Sequence, residues 1–177
     1  MSIRHYLKEL YYIRIKKLSL SDVRIMHLRK VGVTIGDNCF IFSDWLETPE
    51  PYLIKIGSGV TISTGVRFAT HDDSSEYYLG RGELVVGKIT IGNNVFVGMG
   101  SLILPGVTIA DNCIIGAGSV VTRSVDEEGV VLAGNPARPI GTVAELREKN
   151  AGKAINTSGL GFDEKRRLLL SKQHLFK

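Results

Sequence analysis

His71 is the residue of this chain best able to move a proton. Of the four histidines, His5, His27 and His174 lie in the terminal segments, and His71 alone falls in the body of the sequence. A neutral imidazole titrates near physiological pH, so it can take the proton of a hydroxyl as a general base. Asp72, the next residue, has two readings: it can orient the ring or accept a hydrogen bond from the bound group, or it can simply solvate a loop. A catalytic zinc site asks for about three protein ligands, typically histidines. One histidine in the body is too few, so no metal is expected.

The elements that must position His71 are written in a period of six. From Ile91 to Asp126 the chain reads IGNNVF, VGMGSL, ILPGVT, IADNCI, IGAGSV, VTRSVD. Branched aliphatics recur at Ile91, Val97, Ile103, Ile109, Ile115 and Val121. Compact residues follow each by four, at Val95, Ser101, Val107, Cys113, Ser119 and Val125. A second correspondence spans eighteen residues, Asn93-Asn94 answering Asp111-Asn112. Three short strands per coil of a prism satisfy both periods, with aliphatics stacked inward and Gly, Asn and Asp at the corners, where positive φ is tolerated. Cys39 and Cys113 occupy equivalent repeat positions and are expected to be small packing residues rather than a disulfide or metal pair.

The hexads begin at Val33. Glu47-Thr-Pro-Glu-Pro51 interrupts them as a bulging loop, and Ile56 to Arg67 restores them. At Phe68-Ala-Thr-His71 a third side opens, but Asp72 stands where a small apolar residue should point inward. A carboxylate there is costly without a partner, so the chain must leave the prism, and residues 72–84 form an extruded polar loop. It rejoins through Val85 to Thr90. Residues 1–32 are expected to be a helical segment, with one helix opening near Ser21-Asp22 and ending near Gly32. It either covers the first coil or lies on a membrane surface. Residues 142–177 are expected to form a helical extension, with a capping box at Thr142-Val-Ala-Glu145, a loose linker over 150–161 and a basic amphipathic helix from Phe162 to Phe176.

Charge divides along the same boundaries. Residues 1–30 carry eight Lys/Arg against two Asp/Glu, residues 31–141 six against twelve, and residues 142–177 eight against four. The folded body is therefore acidic, which argues against a nucleic-acid partner. Without a signal peptide or long apolar run, the cytoplasm is the expected location.

The repeats, the His at the root of an extruded loop, and the closing run Gly116-Ala-Gly-Ser-Val-Val-Thr122 … Ala133-Gly-Asn-Pro-Ala-Arg138 together resemble the hexapeptide-repeat acyltransferases. Within them they are most similar to sugar O-acetyltransferases of the galactoside, maltose and polysaccharide kind. The resemblance covers roughly residues 33–141. It implies an all-β solenoid, a left-handed parallel β-helix with flanking helices and one extruded loop, assembled as a homotrimer with active sites between subunits. It also implies acetyl-CoA as cosubstrate and His71 as the base that lets an acceptor hydroxyl attack the thioester directly.

By the same resemblance, Ala117 should lie on the pantetheine arm, and Phe96 either beside the thiol or simply packed outward. Thr122, Arg123 and Arg138 should lie near the nucleotide end, where guanidinium groups pair with phosphates. The oxyanion of the transition state needs a fixed donor, and a backbone N–H at Gly98-Met99 is the candidate. Gly141 stands where the family often carries a second basic residue. The acceptor side departs further, with Asp44, Trp45, Glu50, Tyr77 and Tyr78 as carbohydrate contacts beside Asp72. An amino sugar, amino acid or antibiotic as acceptor, and a trimeric scaffold without activity, are the competing readings.

Overall fold

The computed structural model describes residues 11, 14, 16–43 and 48–175. Its body is a three-faced parallel β-helix. One face stacks β1 (Thr34–Ile35), β3 (Ile54–Ile56), β8 (Ile89–Ile91) and β11 (Thr108–Ile109). The second stacks β2 (Phe40–Ile41), β4 (Thr61–Ile62), β9 (Phe96–Val97), β12 (Ile114–Ile115) and β14 (Val130–Gly134), and ends on the antiparallel β15 (Ala137–Thr142). The third face stacks β5 (Arg67–Phe68), β10 (Leu102–Ile103) and β13 (Val120–Val121).

The register is the eighteen-residue correspondence of the sequence: Ile91 pairs with Ile109, Val97 with Ile115 and Ile103 with Val121. All six aliphatics of the repeat are buried, as are Val95, Ser101, Val107, Cys113 and Ser119. Both cysteines are free and buried. The two serines are satisfied inside the core, because both hydroxyls donate to the carbonyl of Gly116, at 3.0 Å from Ser101 and 2.7 Å from Ser119.

The corners between the first two faces are an amide ladder. Asn93 Nδ2 donates to Asp111 Oδ2 at 3.0 Å, Asn94 Nδ2 to Asn112 Oδ1 at 3.2 Å, and Asn112 Nδ2 to Glu128 Oε2 at 3.2 Å. Asn38, Asn94 and Asn112 take φ of 55°, 53° and 60°, the left-handed conformation that asparagine accepts more readily than other residues with a side chain.

Helix α1 (Leu20–Val31) buries Val23, Ile25 and Leu28, and lies against β1 and β2 at the open end of the first coil. It begins two residues earlier than the sequence suggests. Ser19 is the N-cap and Asp22 completes the capping box, while Gly32 closes the helix at φ 116°. Ser21 is not a cap; its buried hydroxyl accepts the N–H of Ile41 at 2.7 Å and ties the helix to the coil. The first part of the expected N-terminal helical segment lies outside the described residues.

The closing run Ala133 to Arg138 is the turn of the β14–β15 hairpin, with a cis Asn135–Pro136 peptide bond. The chain divides into two compact units, Met1–Val143 and Ala144–Lys177. Thr142 ends β15, and helix α2 spans Val143–Asn150. The expected linker contains a 3-10 turn, Ala151–Lys153. The last helix, α3, runs only from Phe162 to Ser171, capped by Glu164 reaching back to the Gly161 N–H, and a separate 3-10 turn follows at Gln173–Leu175. Among the described residues no helix is long and apolar enough to cross a membrane.

Candidate active site

His71 stands where the third face of the second coil gives way to the extruded loop. With Asp72 it forms β6, which pairs antiparallel with β7 (Val85–Val86), so both ends of the loop are fastened together at its root. The loop is not formless. Asp73 to Tyr77 make a 3-10 turn, and Ser75, fully buried, is its hub. The Ser75 hydroxyl lies 2.6 Å from the carbonyls of Asp72 and Glu83 and accepts the N–H of Val85 at 3.1 Å. Asp72 does not orient the imidazole. Its carboxylate accepts the N–H of Ser74 at 3.0 Å and caps the turn.

The imidazole is oriented instead by Glu50, which the sequence offers only as a ligand contact. The proline-flanked bulge, closed by a 3-10 turn at Pro51–Leu53, carries Glu50 back against the coil that follows. Its Oε2 lies 2.7 Å from His71 Nδ1 and accepts the hydroxyl of Thr70 at 2.7 Å. Thr48 lies against both Thr70 and Glu50. Hydrogen bonds from Thr70 and then His71 hold the Glu50 carboxyl below its ordinary value, and the bond to Glu50 raises His71 above its own. With Nδ1–H donated to Glu50, the neutral ring presents the lone pair of Nε2. Asp73 Oδ1 stands 3.3 Å from that nitrogen. Each side chain of the Glu50–His71 pair is 18% exposed, so the imidazole is sheltered and still reachable.

The other expected residues separate into places. Tyr77 and Tyr78 project from the loop, 94% and 64% exposed. Phe96 points outward from β9, half exposed, in a row with Phe40, Thr61 and Ile114 across the second face. Gly98, Met99 and Ala117 sit at the corners between the second and third faces. A side chain at Gly98 would meet the Ala117 nitrogen at 2.5 Å. The Gly98 N–H donates to Ile115 O at 2.8 Å and is unavailable to an oxyanion, which leaves that of Met99.

Thr122 and the exposed Arg123 follow β13 at the far corner of the third face. Arg138 is exposed on β15, one of its guanidinium nitrogens on the carbonyl of Ala137. Asp44 and Trp45 lie outside the described residues. Within one chain, then, the strands of the third face separate His71 from the Gly98-Met99 and Ala117 corners. Among the described residues no cluster of His, Cys, Asp and Glu could hold a metal.

The structure thus sets an imidazole held by a carboxylate at the break in a three-faced β-helix. The family model for the bacterial transferase hexapeptide, six repeats, matches residues 88–123, the stretch from just before β8 to just after β13. Protein CapG of Staphylococcus aureus is 42% identical over 165 residues, covering 91% of this chain and 94% of that protein. A galactoside acetyltransferase solved in complex with coenzyme A is 28% identical, covers 82% of each chain and superposes with a TM-score of 0.56. A maltose O-acetyltransferase from Clostridium difficile 630 is 26% identical, covers 79% of this chain and 87% of its own, and gives a TM-score of 0.53. The chain belongs to the hexapeptide-repeat acyltransferases, and its β-helix is left-handed.

Proposed function

We propose that the protein is an acetyl-CoA-dependent O-acetyltransferase that esterifies a sugar hydroxyl of a surface polysaccharide or glycoconjugate precursor. The observation that carries this reading is the His71 imidazole, sheltered at the loop root with Nδ1 on Glu50 at 2.7 Å. Glu50 holds the tautomer in which Nε2 is the base. The acceptor hydroxyl gives its proton to Nε2 as its oxygen attacks the thioester carbonyl. The tetrahedral adduct then collapses, the C–S bond breaks, and the thiolate of CoA recovers the proton from the imidazolium. An N–H at the Met99 corner would stabilise the oxyanion, and no metal enters the scheme.

The working unit in this reading is a homotrimer. In a single chain His71 and the candidate CoA contacts Gly98, Met99 and Ala117 lie at different corners, so a neighbouring prism is needed to bring one set to the other. The outward row Phe40, Phe96 and Ile114, and the exposed loop-tip residues Tyr77, Tyr78 and Leu79, supply apolar surface for that contact and for a sugar platform. Thr122, Arg123 and Arg138 would hold the phosphates of the nucleotide end. The solved structures described as a galactoside acetyltransferase and a maltose O-acetyltransferase support the sugar acceptor.

The experiment is CoA release from acetyl-CoA, wild type against His71→Ala, over free sugars, glycosides, amino sugars and nucleotide sugars. Acceptor-dependent release by the wild type, reduced about 10²–10⁴-fold in the variant, is the expected result. Equal rates in the two proteins would overturn the assignment of the base, and failure to bind acetyl-CoA would make the protein a scaffold.

A further inference from the structure

The Glu50–His71 pair leaves one neighbour unexplained. Asp73 Oδ1 stands 3.3 Å from Nε2, the nitrogen that must be free to take a proton. The contact comes from a built element. Asp73 opens the 3-10 turn that Asp72 caps and buried Ser75 fastens to both strands of the loop root. Its own side chain is 82% exposed and can swing without disturbing that turn.

Two acceptor atoms at this spacing have no stable arrangement around a neutral ring, because a lone pair then faces a carboxylate. The two flanking carboxylates therefore favour the doubly protonated ring, held by Glu50 on one nitrogen and Asp73 on the other, with Asp72 as the third nearby carboxylate. A substrate that offers a single hydroxyl to Nε2 relieves only half of this. A substrate with a second donor beside the first satisfies both atoms. Adjacent hydroxyls of a sugar ring stand about as far apart as Nε2 and Oδ1 do.

We propose that Asp73 is a specificity-determining residue: it selects acceptors bearing a vicinal diol, one hydroxyl donating to His71 Nε2 and its neighbour to the Asp73 carboxylate. This rests on the transferase reading above and adds to it the pattern of hydroxyls that the acceptor must carry. It also gives Asp73 a second consequence. In the absence of acceptor Asp73 blocks the base, and the acceptor unblocks it on arrival.

The test pairs the protein with the substrate. Methyl glycopyranosides that the wild type acetylates are compared with the analogues lacking the hydroxyl next to the one acetylated, using wild type, Asp73→Ala and Asp73→Asn. Losing one hydrogen bond to a charged group is worth about tenfold or more. Removing the neighbouring hydroxyl should raise the wild-type KM by that factor, Asp73→Ala should raise it by the same factor, and the two losses together should be no worse than either. Asp73→Asn, which still accepts a hydrogen bond, should recover part of the loss. The loss should fall on KM more than on kcat, and the acid limb of kcat/KM, which reports the free enzyme, should move to lower pH in both variants. Additive losses, or a KM indifferent to Asp73, would overturn the proposal. A titration of the His71 ring by NMR without any substrate, wild type against Asp73→Asn, is independent of turnover. An unchanged midpoint there overturns the contact even if no acceptor is found, whereas a lowered midpoint in an inactive protein places the failure in the transferase reading.

Discussion

Glu50 does two things for His71, and they can be taken apart. As a hydrogen-bond acceptor it fixes which ring nitrogen carries the proton, and as an anion it raises the ring's affinity for a second one. Glu50→Gln keeps an acceptor and removes the charge, so the acid limb of the pH–rate profile should move to lower pH while the base remains oriented. Glu50→Ala removes both, and its kcat should fall about tenfold below that of Glu50→Gln, the worth of one hydrogen bond. Equal kcat in the two variants would mean that orientation is supplied elsewhere. The pair also makes stability depend on pH, with a sign for each partner. The raised value of His71 contributes fully below its ordinary 6.5 and is lost as pH climbs through the raised value. The lowered value of Glu50 contributes above its ordinary 4.5 and is lost as pH falls through the lowered one. The melting-temperature gap between wild type and Glu50→Gln should therefore be widest between those two ordinary values and narrow at alkaline pH to the share that the Thr70 hydrogen bond supplies.

At the scale of the element, the hexad was legible because each strand, corner and inward residue answers to a rule local in sequence. Ile103 and Cys113 needed only their neighbours and the period to be placed in the core. The same rule misses the Glu50–His71 contact, which joins a bulge to a loop root twenty-one residues on, with no periodicity between them. The signal available was indirect: a glutamate between two prolines, held in a bulge one coil before the lone histidine. The loop was harder still, since a polar run with one buried serine hub has no pattern to read. The asparagine corners lie between these extremes, visible as a correspondence but not as a ladder. Asn112 combines φ of 60° with hydrogen bonds to Asn94 and Glu128. Asn112→Ala gives up the bonds and keeps the strained backbone, costing about 2–3 kcal/mol. Asn112→Gly relieves the φ and should cost less. Urea unfolding of the two variants measures the difference, and a glycine variant as unstable as the alanine one would assign the corner to the amide ladder alone.

The whole molecule adds a constraint that no single residue or strand carries. His71 closes the third face of its coil, whereas Gly98, Met99 and Ala117 lie at the corners that open that face, so one prism holds the candidate base and the candidate thioester groove apart. A ring of identical prisms, each offering its His71 corner to the next one's Ala117 corner, completes every site with one kind of contact, as closed cyclic symmetry requires. The expected assembly is then three copies of the 19.4 kDa chain, measurable by sedimentation equilibrium. Composite sites make a sharper demand. His71→Ala and Ala117→Trp, one lacking the base and the other plugging the groove from an exposed corner position, should each be inactive as pure assemblies. Co-expressed in equal amounts under different affinity tags and purified through both, they should regain activity. Passage through both tags removes the unmixed rings, and in each mixed ring of three about one site in three draws an intact His71 from one subunit and an open groove from its neighbour. Activity of about a third of wild type in the doubly purified rings, whatever the mixing ratio, is the signature of a site built between subunits. No recovery at any ratio would put base and groove in the same chain and require the extruded loop to fold back across its own third face.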